Sequence, residues 1–406
     1  MEQWKETPWG IIPSTWKIST VKEETSLVTD YVANGSFASL AENVKYKSVE
    51  DYAILIRLVD YNNNFQGPFV FIDESAYEFL AKSKLYGNEI IISNVGANVG
   101  TVFKCPKLKW KMSLAPNSIM VKFKGNNDFY YYWLKSKFGQ HMLNSIVTGS
   151  AQPKFNKTNF KDLAIPVPPI DEQKRIAAIL SSLDNKIELN RRINRNLEQQ
   201  AQALYAKAFS STNTCKMGDV VETTSGGTPS RKNQNYFSSQ GIKWIKSKEL
   251  NGSFIFDSEE HISDDGLCNS SAKLLPPNST LIAMYGATVG AYGLTIDDAT
   301  CNQAICALLP NSQYPYTYLY MWAKNNKDEL IQKAIGSAQQ NISQIIIKNM
   351  PVANEKDKII RFDSDTRYIF SLMKSLAKEN RNLIALRDAL LPRLMSGELK
   401  INDLNH

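Results

Sequence analysis

The chain has 406 residues, too many for one compact core, and predicts two or more domains. Its composition, 43% apolar, 10% aromatic and 21% charged, excludes general disorder, and no apolar run approaches the roughly 18–20 residues that span a bilayer. A formal net charge of +7 suits a polyanion partner without demanding one. The N-terminal "MEQWKETPWG" lacks the charged-then-apolar pattern of a secretory signal, so a cytoplasmic location is expected. Five scattered cysteines without a C-x-x-C pair, and three distant histidines, give neither a disulfide framework nor a zinc site. Cys301 and Cys306, inside the apolar run "CNQAICALL", read as core.

In chain order, "AILIRLVDY" (Ala53–Tyr61) carries Arg57, and "EIIISNVG" reads as a short β-like run punctuated by Gly and Asn. A loop "NVGANVGTV" (Asn94–Val102), an apolar segment from Ala115, and an aromatic helix candidate "FYYYWLKSKFGQHML" follow. Next come the loop "GSAQPK" (Gly149–Lys154) and "LAIPVPP" (Leu163–Pro169). Every one of these recurs about 190 residues later, a period that marks duplicated domains, not a solenoid. "GIKWIKSKEL" sets Lys246 opposite Arg57, and "MYGATVGAY" sets Thr288 opposite Asn98 within Gly-Ala-x-Val-Gly. "CNQAICALL", "YTYLYMWAKNNKDELIQKAI", "GSAQQN" and "KNMPVAN" complete the second copy. Each copy predicts a small α/β domain.

After "IPVPP" the character changes. Residues 171–209 contain no Gly and no Pro, with Asp171 as an N-cap candidate. Ile176, Leu180, Leu183, Ile187, Asn194, Leu197, Ala201 and Leu204 trace a seam of three- and four-residue steps. The second copy ends alike, with Phe362, Ile369, Met373, Leu376, Asn380, Leu383, Leu390 and Leu394 on a comparable seam. Asn194 and Asn380 occupy matching seam positions, where a buried Asn lowers stability but fixes register. A helix with one apolar stripe needs a partner, and each copy supplies one. The expected fold is therefore α+β: two tandem-duplicated small α/β domains separated by two long helices packed as an antiparallel coiled coil, with pseudo-twofold symmetry. The expected boundaries are 1–170 for the first domain, 171–210 for its helix, 211–353 for the second domain and 354–406 for the second helix and tail.

No catalytic constellation emerges. "SGGTPSRK" (Ser225–Lys232) has the wrong spacing for a phosphate loop, and no N-P-P-[YF] or D-P-P-Y tetrapeptide offers a methyltransferase site. Binding determinants are more plentiful. Gln152, Lys154, Gln339 and Gln340 sit in the Gly-Ser-Ala-Gln loops, where Gln can meet adenine and Lys guanine or phosphate. The shared letters themselves suit a tight turn set by Gly149 and Gly336, so reading of different sequences belongs where the copies differ. Such candidates are Arg57, Asn98, Lys104 and Lys107 in the first copy. In the second they are Ser230, Arg231, Lys232, Gln234, Lys246, Lys248 and Thr288. A solvated charged face explains any one of the basic spots equally well.

"LIALRDALLPRLMSGEL" (Leu383–Leu399) resembles the C-terminal helix of specificity subunits of Type I restriction-modification enzymes, with its L-x-x-L-R-x-x-L-L-P-x-L-x-S-G-E pattern. "IPVPPIDEQKRIAAILSSLDNKIELNRRINRNLE" resembles the central helix of that family, down to Pro-Pro-x-x-Glu-Gln-x-x-Ile, and "SGGTPSR" and "YGATVG" are similar to its target recognition domains. The resemblance implies a non-catalytic subunit whose two recognition domains each read half of a bipartite, asymmetric site in double-stranded DNA. The helix pair would set the gap and dock two methyltransferase subunits, which would bring restriction subunits. S-adenosylmethionine, ATP and Mg would belong to those partners, leaving no cofactor here and no membrane partner. The second copy departs from the pattern, with "NMPVANEKDKII" in place of Pro-Pro-x-x-Glu-Gln. Two other readings stand beside this one: a non-enzymatic coiled-coil scaffold for protein partners, and a recognition subunit fused to nuclease or methyltransferase chemistry.

Overall fold

The computed structural model describes residues 3–334 and 341–399. Its contacts divide the chain into two units, Met1–Lys186 with Leu383–His406, and Ile187–Asn382, so that each unit takes part of both long helices.

After an N-terminal hairpin (Trp4–Thr7 with Gly10–Pro13), the first unit contains β1 (Lys17–Thr20), β2 (Thr25–Asp30), β3 (Ala53–Ile56), β4 (Val70–Ile72), β5 (Lys84–Leu85), β6 (Ile90–Ser93), β7 (Val102–Lys104), β8 (Lys111–Leu114), β9 (Ser118–Phe123) and β10 (Ala164–Val167). One antiparallel sheet runs β2-β9-β6-β7, a second runs β4-β3-β8-β5 with β3 and β8 parallel, and β10 pairs with β1. Ile54, Leu55, Ile90, Ile91 and Ile92 are all buried, which is why these runs are apolar without alternation. The second unit contains β11 (Thr214–Lys216), β12 (Thr223–Ser225), β13 (Ile242–Ile245), β14 (Phe254–Ile255), β15 (Thr280–Ala283), β16 (Tyr292–Thr295), β17 (Thr300–Cys301), β18 (Ile305–Leu308) and β19 (Pro351–Ala353). Its main sheet runs β12-β18-β15-β16-β14, β13 pairs parallel with β17, and β11 pairs with β19. The first four strands of that sheet repeat β2-β9-β6-β7 in order and direction. The duplication is one of topology as well as letters.

The Gly-Ala-x-Val-Gly loops show why letters survive. Gly96 and Gly100 take φ of 100° and 88°, and Gly286 and Gly290 take 66° and 77°. Side chains rarely adopt that left-handed region, so both turns demand glycine at both ends.

The long helices cover Ile170–Phe209 and Lys356–Met395. Asp171 lies inside the first turn and does not cap it, because the helix begins one residue earlier: the Glu172 and Gln173 amides donate to the Pro169 carbonyl. The helices run antiparallel within each unit. In the second, Asn190 donates to Asn380 Oδ1 at 3.1 Å, Asn194 to the Met373 carbonyl at 3.2 Å, and Tyr205 packs edge-on against Phe362. In the first, Arg387 donates to Asp184 at 2.8 Å, and Ile176 and Leu180 share a core with Leu394 and Met395.

Most of the expected seam faces inward: Ile176, Leu180, Ile187, Phe362, Met373, Asn380 and Leu394 are buried. Leu183, Asn194, Leu197, Ile369, Leu376, Leu383 and Leu390 are half-buried. Leu204 is a correction. It is 36% exposed, because the seam steps four residues from Ala201 to the buried Tyr205. Both seam asparagines are engaged: Asn380 meets Asn190, while Asn194 reaches the Met373 backbone carbonyl.

Cys105, Cys301 and Cys306 are buried, and burial pushes the Cys301 and Cys306 thiols up to about 12. A thiol reagent at pH 8 should therefore modify exposed Cys268 quickly and leave these three untouched until denaturant is added. Mass spectrometry of the labelled peptides checks this, and fast labelling of Cys301 would contradict the packing.

Candidate nucleic-acid interface

In the first unit one sequence candidate, Arg57, lines a surface groove, and Lys154 is bridged to its wall residue Val95. Thr148 and Lys154 exchange backbone hydrogen bonds at 2.8 and 2.9 Å, closing a hairpin whose Gly149 has φ of 87°. A Cβ there would lie 2.9 Å from the Gln152 carbonyl oxygen, so the shared glycine sets a turn. Gln152 within the turn and Lys154 at its closing pair are left exposed. The hairpin is anchored to the Gly-Ala-x-Val-Gly loop, where Gly96 donates to the Pro153 carbonyl and Phe155 to that of Asn94, and exposed Asn98 stands on that loop. The second copy preserves the joint: Tyr285 bridges Asn341, and the Ile342 amide donates to Met284. Gln339 and Gln340, with Gly336, lie outside the described residues.

Two adjoining cavities, of about 480 and 390 Å³, share Tyr46, Val95, Pro116, Asn117 and Ser118 and so form one groove. Arg57 lines its far part. Its guanidinium is held by Asp60, through Nε at 3.0 Å and Nη2 at 2.7 Å, and Nη2 also reaches the Pro68 carbonyl. Asp60 is only 2% exposed, so this pair is rigid. Asp60 raises the pKa of Arg57 further. The near part is walled by Tyr31, Phe37 and Leu40, none of which was a sequence candidate.

Lys104 does not join this groove. Its ammonium pairs with Asp128 at 2.8 Å and lies over the Tyr131 ring, which ties it to its own domain. Lys107 is exposed. Its neighbours Lys109 and Lys111 are engaged by Glu50 and Tyr52, so most of this basic run is neutralised or shielded locally.

In the second unit the candidates gather around an acid. Arg231 pairs with Glu260 at 2.6 Å and stacks over Phe237 at 4.4 Å and Trp244 at 5.1 Å. Lys246 reaches Glu260 at 2.6 Å and Glu259 at 3.1 Å, and Lys248 reaches Glu259 at 2.7 Å. Arg231 and then Lys246 hold the Glu260 carboxyl down at about 2. Its contribution is complete above pH 4.5, the ordinary value, and fades as pH falls toward 2. Ser230, Lys232 and Gln234 are exposed on the same loop, whereas half-buried Thr288 donates to the Tyr285 carbonyl and closes its own turn. The alignment of Lys246 with Arg57 holds structurally. Each follows a parallel strand, β13 or β3, and its amide donates at 2.8 Å to an acid three residues on, Glu249 or Asp60.

A family described as the Type I restriction modification DNA specificity domain matches residues 13–199 and 210–360. The chain belongs to that family. A specificity subunit of Methanocaldococcus jannaschii, the Type I restriction enzyme MjaIX subunit, is 22% identical over 99% of this chain and 98% of its own. The EcoR124I/EcoR124II specificity subunit of Escherichia coli is 22% identical over 81% and 87% respectively. The crystal structure of the S subunit from M. genitalium superposes with a TM-score of 0.57 at 14% identity, covering 93% of this chain and 96% of that one. As a specificity subunit the chain is a DNA-recognition component and not itself an enzyme. Among the described residues, no helix is long and apolar enough to cross a membrane.

The specificity-subunit signatures now have physical roles. Glu172 accepts the Trp16 indole at 3.1 Å, and buried Gln173 accepts the Asn126 amide and donates to the Pro168 carbonyl. The Glu-Gln pair thus locks the first long helix to its domain. In the second copy Glu355 does the related work, accepting from the Thr212 hydroxyl at 2.6 Å and the Asn213 amide. Gly397, with φ of 72°, lies where a Cβ would come within 2.5 Å of Pro13, so Ser-Gly-Glu ends the second helix against Trp16.

Proposed function

We propose that each half of this specificity subunit reads one part of a bipartite, asymmetric sequence in double-stranded DNA. The recognition domains are 1–170 and 211–353, and the helix pair sets the gap and docks two methyltransferase subunits. Restriction subunits join through those, and S-adenosylmethionine, ATP and Mg belong to the partners. The setting is the cytoplasm. One observation carries the reading: the same strand order recurs in both units, while the loops around Arg57 and Lys246 differ in residue type. Duplicated scaffolds with unlike loops suit two unlike half-sites, and exposed Gln, Asn, Arg and Lys suit base edges and phosphates.

The test is sequencing of methylated bases in cells expressing this chain with its methyltransferase partner. The expected result is one bipartite motif with two different halves and a fixed gap. A continuous motif, or none, would overturn the reading. The purified chain alone should neither methylate nor cut DNA in the presence of S-adenosylmethionine, ATP and Mg. Activity of the chain by itself would favour the fused-enzyme alternative.

A further inference from the structure

The groove of the first unit is unlike an ordinary cation-lined nucleic-acid surface. Phe37 is 81% exposed and Tyr46 56% exposed, and both line it; Val59, also lining it, is 55% exposed. Large apolar side chains left this open in one place mark a binding surface. Its two charged wall residues are Asp30 and Arg57. Asp30 is neutralised by Lys157 at 2.8 Å and by the Ala33 amide, so the wall offers no net repulsion to a polyanion. Lys154 stands exposed beside it, joined by a single backbone bridge to wall residue Val95. The groove thus has exposed apolar walls, with Lys154 beside it and Arg57 held by Asp60.

DNA carries one exposed apolar group that fits such a floor, the 5-methyl of thymine, which lies in the major groove and distinguishes T·A from the other pairs. The geometry points to this groove as a thymine-methyl reader, so that the half-site of the first unit contains at least one T·A pair recognised through Phe37 and Tyr46. The second unit differs: its loop from Ser230 to Gln234 leaves polar Ser230, Lys232 and Gln234 exposed, while Arg231 is held by Glu260. This inference rests on the proposed function, and its test separates the two.

The experiment uses the intact chain with its methyltransferase subunits and duplexes carrying the mapped site. Deoxyuridine, which lacks only the methyl, replaces thymidine one position at a time. Within one half-site binding should weaken about fourfold per lost methyl, the worth of one buried carbon, while the other half-site tolerates the change. Phe37→Ala and Tyr46→Ala should each shrink the thymidine–deoxyuridine difference toward nothing. Both side chains are exposed, so neither change threatens folding. Equal binding of deoxyuridine throughout, or a full difference persisting in both variants, would overturn the thymine reader while leaving bipartite recognition intact. A first-unit half-site without any T·A pair would also overturn it. A complex with no sequence preference at all would defeat both proposals.

Discussion

Replacing Leu394 by Asp should lower the stability of the first unit by about 5 kcal/mol or more, the sum of lost apolar burial and a buried charge. Leu394 is fully buried in a core shared with Trp16, Trp133, Leu180 and Met395. A charge there would be enclosed by apolar side chains. For a unit of this size each kcal/mol shifts the melting temperature by about 2–4 °C, so a drop beyond about 10 °C is expected. The second unit's core contains none of these residues, so its melting should stay nearly unchanged and appear as a separate, later transition. Leu386→Asp is the comparison, since Leu386 is 48% exposed and should cost only about 0.5 kcal/mol. The double change Leu390→Asp with Leu394→Asp should also abolish assembly with the methyltransferase while leaving the sequence preference of any residual complex unaltered. Scanning calorimetry decides the first point. A single unshifted transition would show that the helix end is not part of that core.

The second large effect concerns the fragment Met1–Phe209. Cutting there removes the second long helix, and with it Leu390, Leu394 and Met395 from the first unit's core. It also leaves the apolar stripe of Ile176, Leu180, Ile187, Ala201 and Tyr205 without its partner. Exposed apolar surface costs about 25 cal/mol per Å², so two fragments should pair through their helices. Tyr205 and Phe209 of each copy would take the place of the lost helix end, as the matching segment does in the duplicated half. Sedimentation should show a dimer, and a monomer would mean that the halves have diverged too far to substitute for each other.

The helix seam was legible because burial on one face of a helix leaves steps of three and four, from Ile176 to Ile187 and again from Ile369 to Leu383. The rule misled only where the seam chose between neighbours: Leu204 is the more apolar letter, yet Tyr205 takes the buried place. Asn190 went unread because a polar residue adds nothing to an apolar pattern, although its fully buried side chain makes the interhelix bond. The duplication was legible through turn glycines, whose positive φ constrains their identity. The groove was only half legible. Arg57, Asn98, Gln152 and Lys154 announce themselves as polar residues on loops. Phe37 and Tyr46 lie in a polar stretch without periodicity, and only folding shows that their rings flank one groove. Lys104 looked free because its partner, Asp128, is distant in sequence.

The central claim is that each half is a reading head of its own. Its most direct test is the methylation pattern produced by the Met1–Phe209 fragment together with the methyltransferase subunits. A dimer of identical halves has a true twofold axis, so its target must repeat one half-site on both strands. The expected result is methylation at an interrupted inverted repeat of the first half-site, in place of the asymmetric bipartite sequence. A dimeric fragment that still methylated the original asymmetric sequence would contradict the claim.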